Sequence, residues 1–184
     1  MRLFLAILFE DPYFISLQQQ IDRKSAVFTF PHSFHITLKF LGDVDDVDDV
    51  KEQMKRISFS PFSVSLSEIG AFPSLQRVNV IWVGINDQGE TSALQKKIDD
   101  LLKDKFPDNH PFHPHITLAR VKFVKEKEKL QQNIKTISVE KKRFDVHEFI
   151  LFESILTPQG PVYTVVERYP ARSFLNRRCG SLLL

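Results

Sequence analysis

The tetrapeptide His-Ile-Thr-Leu occurs twice, at His35–Leu38 and at His115–Leu118, with Pro31 and Pro111 at matching points upstream. If each copy lies on a β-strand, residues i and i+2 share a face. His35 then projects with Thr37, and His115 with Thr117, while the isoleucines and leucines turn to an apolar side. Imidazole has an unperturbed pKa of roughly 6.5, so one copy can be neutral and the other protonated near pH 7, which makes a base and an acid. Threonine hydroxyls beside them can donate hydrogen bonds to phosphate oxygens. Two such strands facing one cleft suit in-line displacement at phosphorus without a metal, with water attacking on one side and the leaving oxygen departing on the other.

A metal site is the competing use of these side chains, because His110, His113 and His115 with His32 and His35 could form a cluster. No Asp or Glu accompanies them at ligand spacing, and two prolines interrupt the HPFHPH segment, so neither a metal nor a cofactor is expected. Lys39 and Arg77 could extend the groove toward upstream phosphates, His32 and His113 could line its mouth, and His147 reads as structural.

The elements that must position the motifs follow from periodicity. Strands are expected at 2–9, 28–30, 34–41, 62–72, 78–85, 114–121, 144–156 and 162–169, where apolar, β-branched and aromatic residues concentrate or alternate. Helices are expected near 11–24, with Asp11 as N-cap, and at 45–57, 90–106 and 125–134. The acidic run Asp43–Asp49 suits a solvated helix start, where the macrodipole favours negative charge. Thr-Pro-Gln-Gly-Pro at 157–161 is a turn signal. Laid side by side, the elements repeat at an offset near 80 as β-α-β-α-β units. This predicts an α+β protein, bilobal, with two antiparallel sheets around a central cleft and a pseudo-twofold axis. Residues 1–170 form one domain from pseudo-repeats at about 1–75 and 76–170, and 171–184, which has no periodicity, is set apart as a flexible tail.

Composition bounds the partners. The 184 residues carry 25 basic and 23 acidic side chains, and the longest apolar run, Leu3–Phe9, is far too short to span a membrane. A net charge of +2 suits a short nucleic-acid end gripped locally better than a long duplex. The lone Cys179 excludes an internal disulfide and suits a reducing cytoplasm.

With these residues in view, the chain resembles the two-histidine (2H) phosphoesterases, and most closely the bacterial and archaeal RNA 2′,3′-cyclic phosphodiesterases, also named 2′-5′ RNA ligases. The likeness runs through the opening MRLFLAI, FHITLKFLGDV, the GAFPS turn with VIWVGI, HPHITLAR and LFESILTPQGPVY. It implies hydrolysis of RNA 2′,3′-cyclic phosphate ends, tRNA fragments among them, to 2′-phosphomonoesters by a cytoplasmic monomer. Alternatives are 2′-5′ joining of tRNA halves, or hydrolysis of a small cyclic nucleotide. By the same resemblance His35 is the proton donor and His115 the proton acceptor. Thr37 and Thr117 hold phosphate oxygens, Phe40 stacks on the terminal nucleotide and Arg120 binds by charge. Phe40 and Arg120 each stand five residues after a histidine, which strict alternation would put on the wrong face, so a bulge or strand end is required there. Phe40 reads equally well as a core residue.

Overall fold

The computed structural model describes residues 1–108, 110–157 and 160–172. Its elements run β1 (Arg2–Phe9), α1 (Tyr13–Gln19), β2 (Ala26–Thr29), β3 (Phe34–Asp43), α2 (Val47–Lys55), β4 (Phe62–Ser74), β5 (Arg77–Asn86), α3 (Glu90–Leu102), β6 (His115–Val124), α4 (Lys127–Thr136), β7 (Arg143–Val146), β8 (Glu148–Thr157) and β9 (Gly160–Pro170). Helix starts follow local chemistry. The Tyr13 amide donates to Asp11 Oδ1 at 2.8 Å, although the N-cap of α1 is Pro12 and not the expected Asp11, and at α2 the Asp46 side chain accepts from the Asp49 amide at 2.9 Å ahead of an acidic first turn.

The antiparallel strands are ordered β7-β4-β5-β6-β3-β1-β8-β9, with β2 pairing β6. Two half-sheets, β1-β3-β8-β9 and β4-β5-β6-β7, meet at one residue pair, Ile36 with Ile116. Each half-sheet takes its strands from both halves of the chain. β4 lies beside β5, whereas β8 lies beside β1, so the third strand of each unit crosses to the other lobe. The stretch expected as one strand over 144–156 accordingly breaks at the exposed His147. β7 pairs β4 in one half-sheet and β8 pairs β1 in the other.

Burial explains why β1 is a run of apolar residues rather than an alternating strand. Leu3, Leu5, Ile7 and Phe9 enter the main core under the helices. Phe4 and Ala6 enter a second cluster with Ile150 and Phe152. The helices supply the other walls of the main core: Leu94, Ile98 and Leu102 of α3 are buried, as are Phe14 and Leu17 of α1. Two local readings change. Gly70–Ser74 continues β4, with the turn at 75–76, so GAFPS is strand and not turn. Ala171 and Arg172, placed in the tail by sequence, donate backbone hydrogen bonds to His147 O at 2.6 Å and Phe59 O at 2.8 Å. The rest of that tail, with Cys179, and Pro158–Gln159 of the expected turn lie outside the described residues.

Candidate active site

The pairing of Ile36 with Ile116 builds the site. Both side chains are buried, so their immediate neighbours, His35, Thr37, His115 and Thr117, all turn to the opposite face. In an antiparallel pair centred there, His35 stands across from Thr117 and Thr37 across from His115. The two histidines occupy a diagonal, about 7–8 Å apart in a regular ladder, and divergence of the strands widens that gap. All four line a cleft of about 1380 Å³, together with Phe40 and Arg120.

Phe40 and Arg120 reach this face by the same device. In β3, Ala6 faces Thr37 while Leu5 faces Lys39, which leaves Leu38 as an extra residue. In β6, Trp82 faces Thr117 while Ile81 faces Ala119, which leaves Leu118 extra. A bulge at the leucine of each His-Ile-Thr-Leu reverses the alternation, so the residue five places after each histidine rejoins the cleft face. Phe40 is 64% exposed, which removes its reading as a core residue. Lys39 borders the cleft but is only 3% exposed, with its ammonium 2.5 Å from Asp99 of α3. Lys39 is therefore tied up as a buried ion pair and does not extend the groove. Arg77 does not line the cleft, His32 and His113 do, and His147, in the break between β7 and β8, is not among the lining residues.

Electrostatics make both imidazoles poor proton holders. Burial is the main cause for His35, followed by the Arg120 guanidinium, and together they bring its pKa down to about 4 against a favourable hydrogen bond to the Ser33 backbone. His115 is also lowered, first by burial and then by the charges of His113 and Arg120. His115 Nδ1 lies 2.7 Å from the His113 carbonyl oxygen and donates to it in the neutral ring, which leaves Nε2 as the free lone pair. Each histidine thus takes its orientation from the backbone two residues before it.

Sequence reasoning did not single out the aromatic walls. Tyr163 of β9 meets the His35 ring edge-on at 5.3 Å and Phe4 lies 5.3 Å from the same ring. On the other side Phe72 packs 4.9 Å from His115, and Trp82 packs 4.8 Å from His113. Gly70 lets the indole in, because a Cβ there would stand 2.1 Å from Trp82 Cζ2. The legible signal for Tyr163 was the alternation of Pro161, Tyr163 and Val165 after the turn, all three lining the cleft. Of the HPFHPH histidines, His110 places Nδ1 3.1 Å from Asp108 Oδ1, and among the described residues no group of three His, Cys, Asp or Glu side chains is placed to hold a metal ion.

Residues 23–155 match the family model of the 2′-5′ RNA ligase superfamily. The chain belongs to that superfamily. It is 34% identical over 175 residues to an RNA 2′,3′-cyclic phosphodiesterase of Methanocaldococcus jannaschii, a match covering 92% of this chain and 100% of that protein. It is 31% identical over 162 residues to one of Aquifex aeolicus, covering 83% and 86%. The fold is similar to the crystal structure of TT0787 of Thermus thermophilus, with a TM-score of 0.80 at 26% identity over 95% of this chain and 100% of that one. It is also similar in fold to E. coli LigT complexed with 3′-AMP, with a TM-score of 0.71 at 23% identity over 94% and 98%. In this member of the superfamily, the paired His-x-Thr strands, their matched bulges and the arginine beside the two imidazoles make up the candidate active site.

Proposed function

We propose that the protein hydrolyses the terminal 2′,3′-cyclic phosphate of RNA to a 2′-phosphomonoester by metal-independent acid and base catalysis. The observation that carries this reading is the antiparallel Ile36–Ile116 pair, which sets two His-x-Thr faces diagonally across one cleft. The phosphate sits between the imidazoles, with Thr37, Thr117 and Arg120 on its non-bridging oxygens and Phe40 against the terminal nucleotide. His115 Nε2 takes a proton from water as its oxygen attacks phosphorus. The P–O3′ bond breaks in line, and His35 gives its proton to the departing O3′. The Nδ1 contact to the His113 carbonyl suits His115 to act as the base, since it leaves the lone pair on Nε2, and the family resemblance assigns His35, held by the Ser33 backbone in the same way, as the donor. Burial and the Arg120 charge keep His35 neutral before substrate binds, so its role as donor rests on the bound phosphate anion raising its pKa and loading it with a proton. A monomer in the cytoplasm, acting on fragments of structured RNAs such as tRNA, completes the proposal.

The test is an oligoribonucleotide with a cyclic end. The expected product keeps phosphate on the 2′ oxygen, turnover is unchanged by chelator, and His35→Ala and His115→Ala abolish it. A 3′-phosphate product would overturn the leaving-group assignment, and chelator sensitivity would overturn the metal-independent mechanism. A cyclic substrate with sulfur at the 3′ position separates the roles: its thiolate leaves without a donor, so it rescues His35→Ala and not His115→Ala.

A further inference from the structure

The chemistry above engages one phosphate, but an RNA end brings a strand that must leave the cleft somewhere. Cations that could receive it are scarce. Among the cleft-lining residues Lys39 is tied to Asp99, Arg168 is tied to Glu148, and Arg120 is already committed to the reacting phosphate. The cleft lining also includes Val162 and Val165, which are exposed and apolar, and the acidic Asp108.

Across the wall formed by Thr29–His32 and Phe34 lies a second pocket, of about 530 Å³, which shares those residues with the cleft. Arg23 and Lys122 line it, and neither forms an ion pair among the described residues. The Arg23 guanidinium lies 4.5 Å from the centre of the Phe30 ring, and Phe28 and Phe30 stand 5.5 Å apart, so the pocket presents aromatic faces with cations among them. Lys122 is held there by another bulge: Val121 faces Phe28 and Phe123 faces Val27, which leaves Lys122 as the extra residue of β6. It lies two residues beyond Arg120, about 7 Å along the strand. Thr29 pairs directly with Arg120 and lines both cavities, so the two are continuous at the catalytic arginine.

We propose that this pocket binds single-stranded RNA immediately upstream of the cyclic end, with Arg23 and Lys122 on successive phosphates and Phe28 or Phe30 against a base. Unpaired cations alternating with aromatic faces are the general chemistry of single-strand grooves, in which stacking and phosphate contacts act together. The inference rests on the reading of the cleft as an RNA-end site, and it makes the protein a selector of single-stranded 3′ tails over mononucleotides.

Fluorescence anisotropy of a labelled single-stranded hexaribonucleotide with a cyclic 3′ end, titrated with the native protein and with Arg23→Ala/Lys122→Ala at several salt concentrations, decides it. The double variant is expected to bind at least tenfold more weakly. Its salt slope should fall by about 1.4, from two contacts at about 0.7 each. The ratio of hexamer to mononucleotide kcat/KM should drop about tenfold, while Arg23→Lys/Lys122→Arg retains it. An unchanged affinity and slope in the double variant would overturn the groove, as would equal use of hexamer and mononucleotide by the native protein. Failure to hydrolyse a mononucleoside 2′,3′-cyclic phosphate would instead overturn the catalytic reading, and the anisotropy would still decide the groove.

Discussion

Seating a sulfate ion between Thr37, Thr117 and Arg120 should make the protein take up a proton. Sulfate does not titrate between pH 4 and 8, so any proton must go to the protein. Before the ion binds, His35 has a pKa of about 4 and is protonated roughly 1% of the time at pH 6. The bound dianion cancels the Arg120 charge and leaves one net negative charge beside the ring. At about 4 Å and an effective dielectric of about 20 that is worth about 4 kcal/mol, or about 3 pKa units. Relief of the Arg120 charge adds to this, so His35 would titrate at about 7 or above, binding at pH 6 would take up about 0.9 proton or more, and affinity would fall at least about tenfold between pH 6 and pH 8. Calorimetry in buffers of different ionisation enthalpy counts the protons, and His35→Gln assigns them. Uptake below about 0.1 proton with affinity constant over this range would refute the electrostatic account, as would full uptake in His35→Gln, which would place the proton on His115.

Three further outcomes are expected. Because the folded pKa of His35 lies below its unfolded value of about 6.5, its contribution to stability is complete above pH 6.5. It is lost as pH falls toward 4, costing up to about 3 kcal/mol. Urea unfolding of the native protein should therefore weaken more between pH 7 and pH 4 than that of His35→Gln. Gly70→Ala drives a methyl into the Trp82 ring and should cost about 1–3 kcal/mol by thermal unfolding, with loss of activity from displacement of the Phe72–Trp82 wall beside His115. Asp99→Ala should destabilise by about 3–5 kcal/mol, because it strands the buried Lys39 ammonium. Lys39→Met should cost far less, since Asp99 is partly exposed, and equal losses for the two would contradict the burial asymmetry.

Much of the site was legible in the chain because a strand's period of two is local. His35, Thr37, His115 and Thr117 could be assigned a shared face from spacing alone, and a duplication at constant offset implied a cleft between equivalent strands. The need for a bulge before Phe40 and Arg120 was also visible, since parity is arithmetic. Other features depended on contacts between residues far apart in sequence. That Lys39 is buried and not a phosphate ligand depends on α3 placing Asp99 against it, sixty positions away. That the third strands exchange lobes depends on which edge of each half-sheet is free, a property of strand pairing that residue types do not encode. The depressed histidine pKa values likewise exist only after folding, because burial lowers both and, for His35, the Arg120 charge arrives from another strand. The sequence by itself thus determined which side chains share the cleft face, through the pleat. The tertiary structure alone decided their protonation, the aromatic walls around them and which cations remain free to meet a strand, because each is set by long-range packing and desolvation.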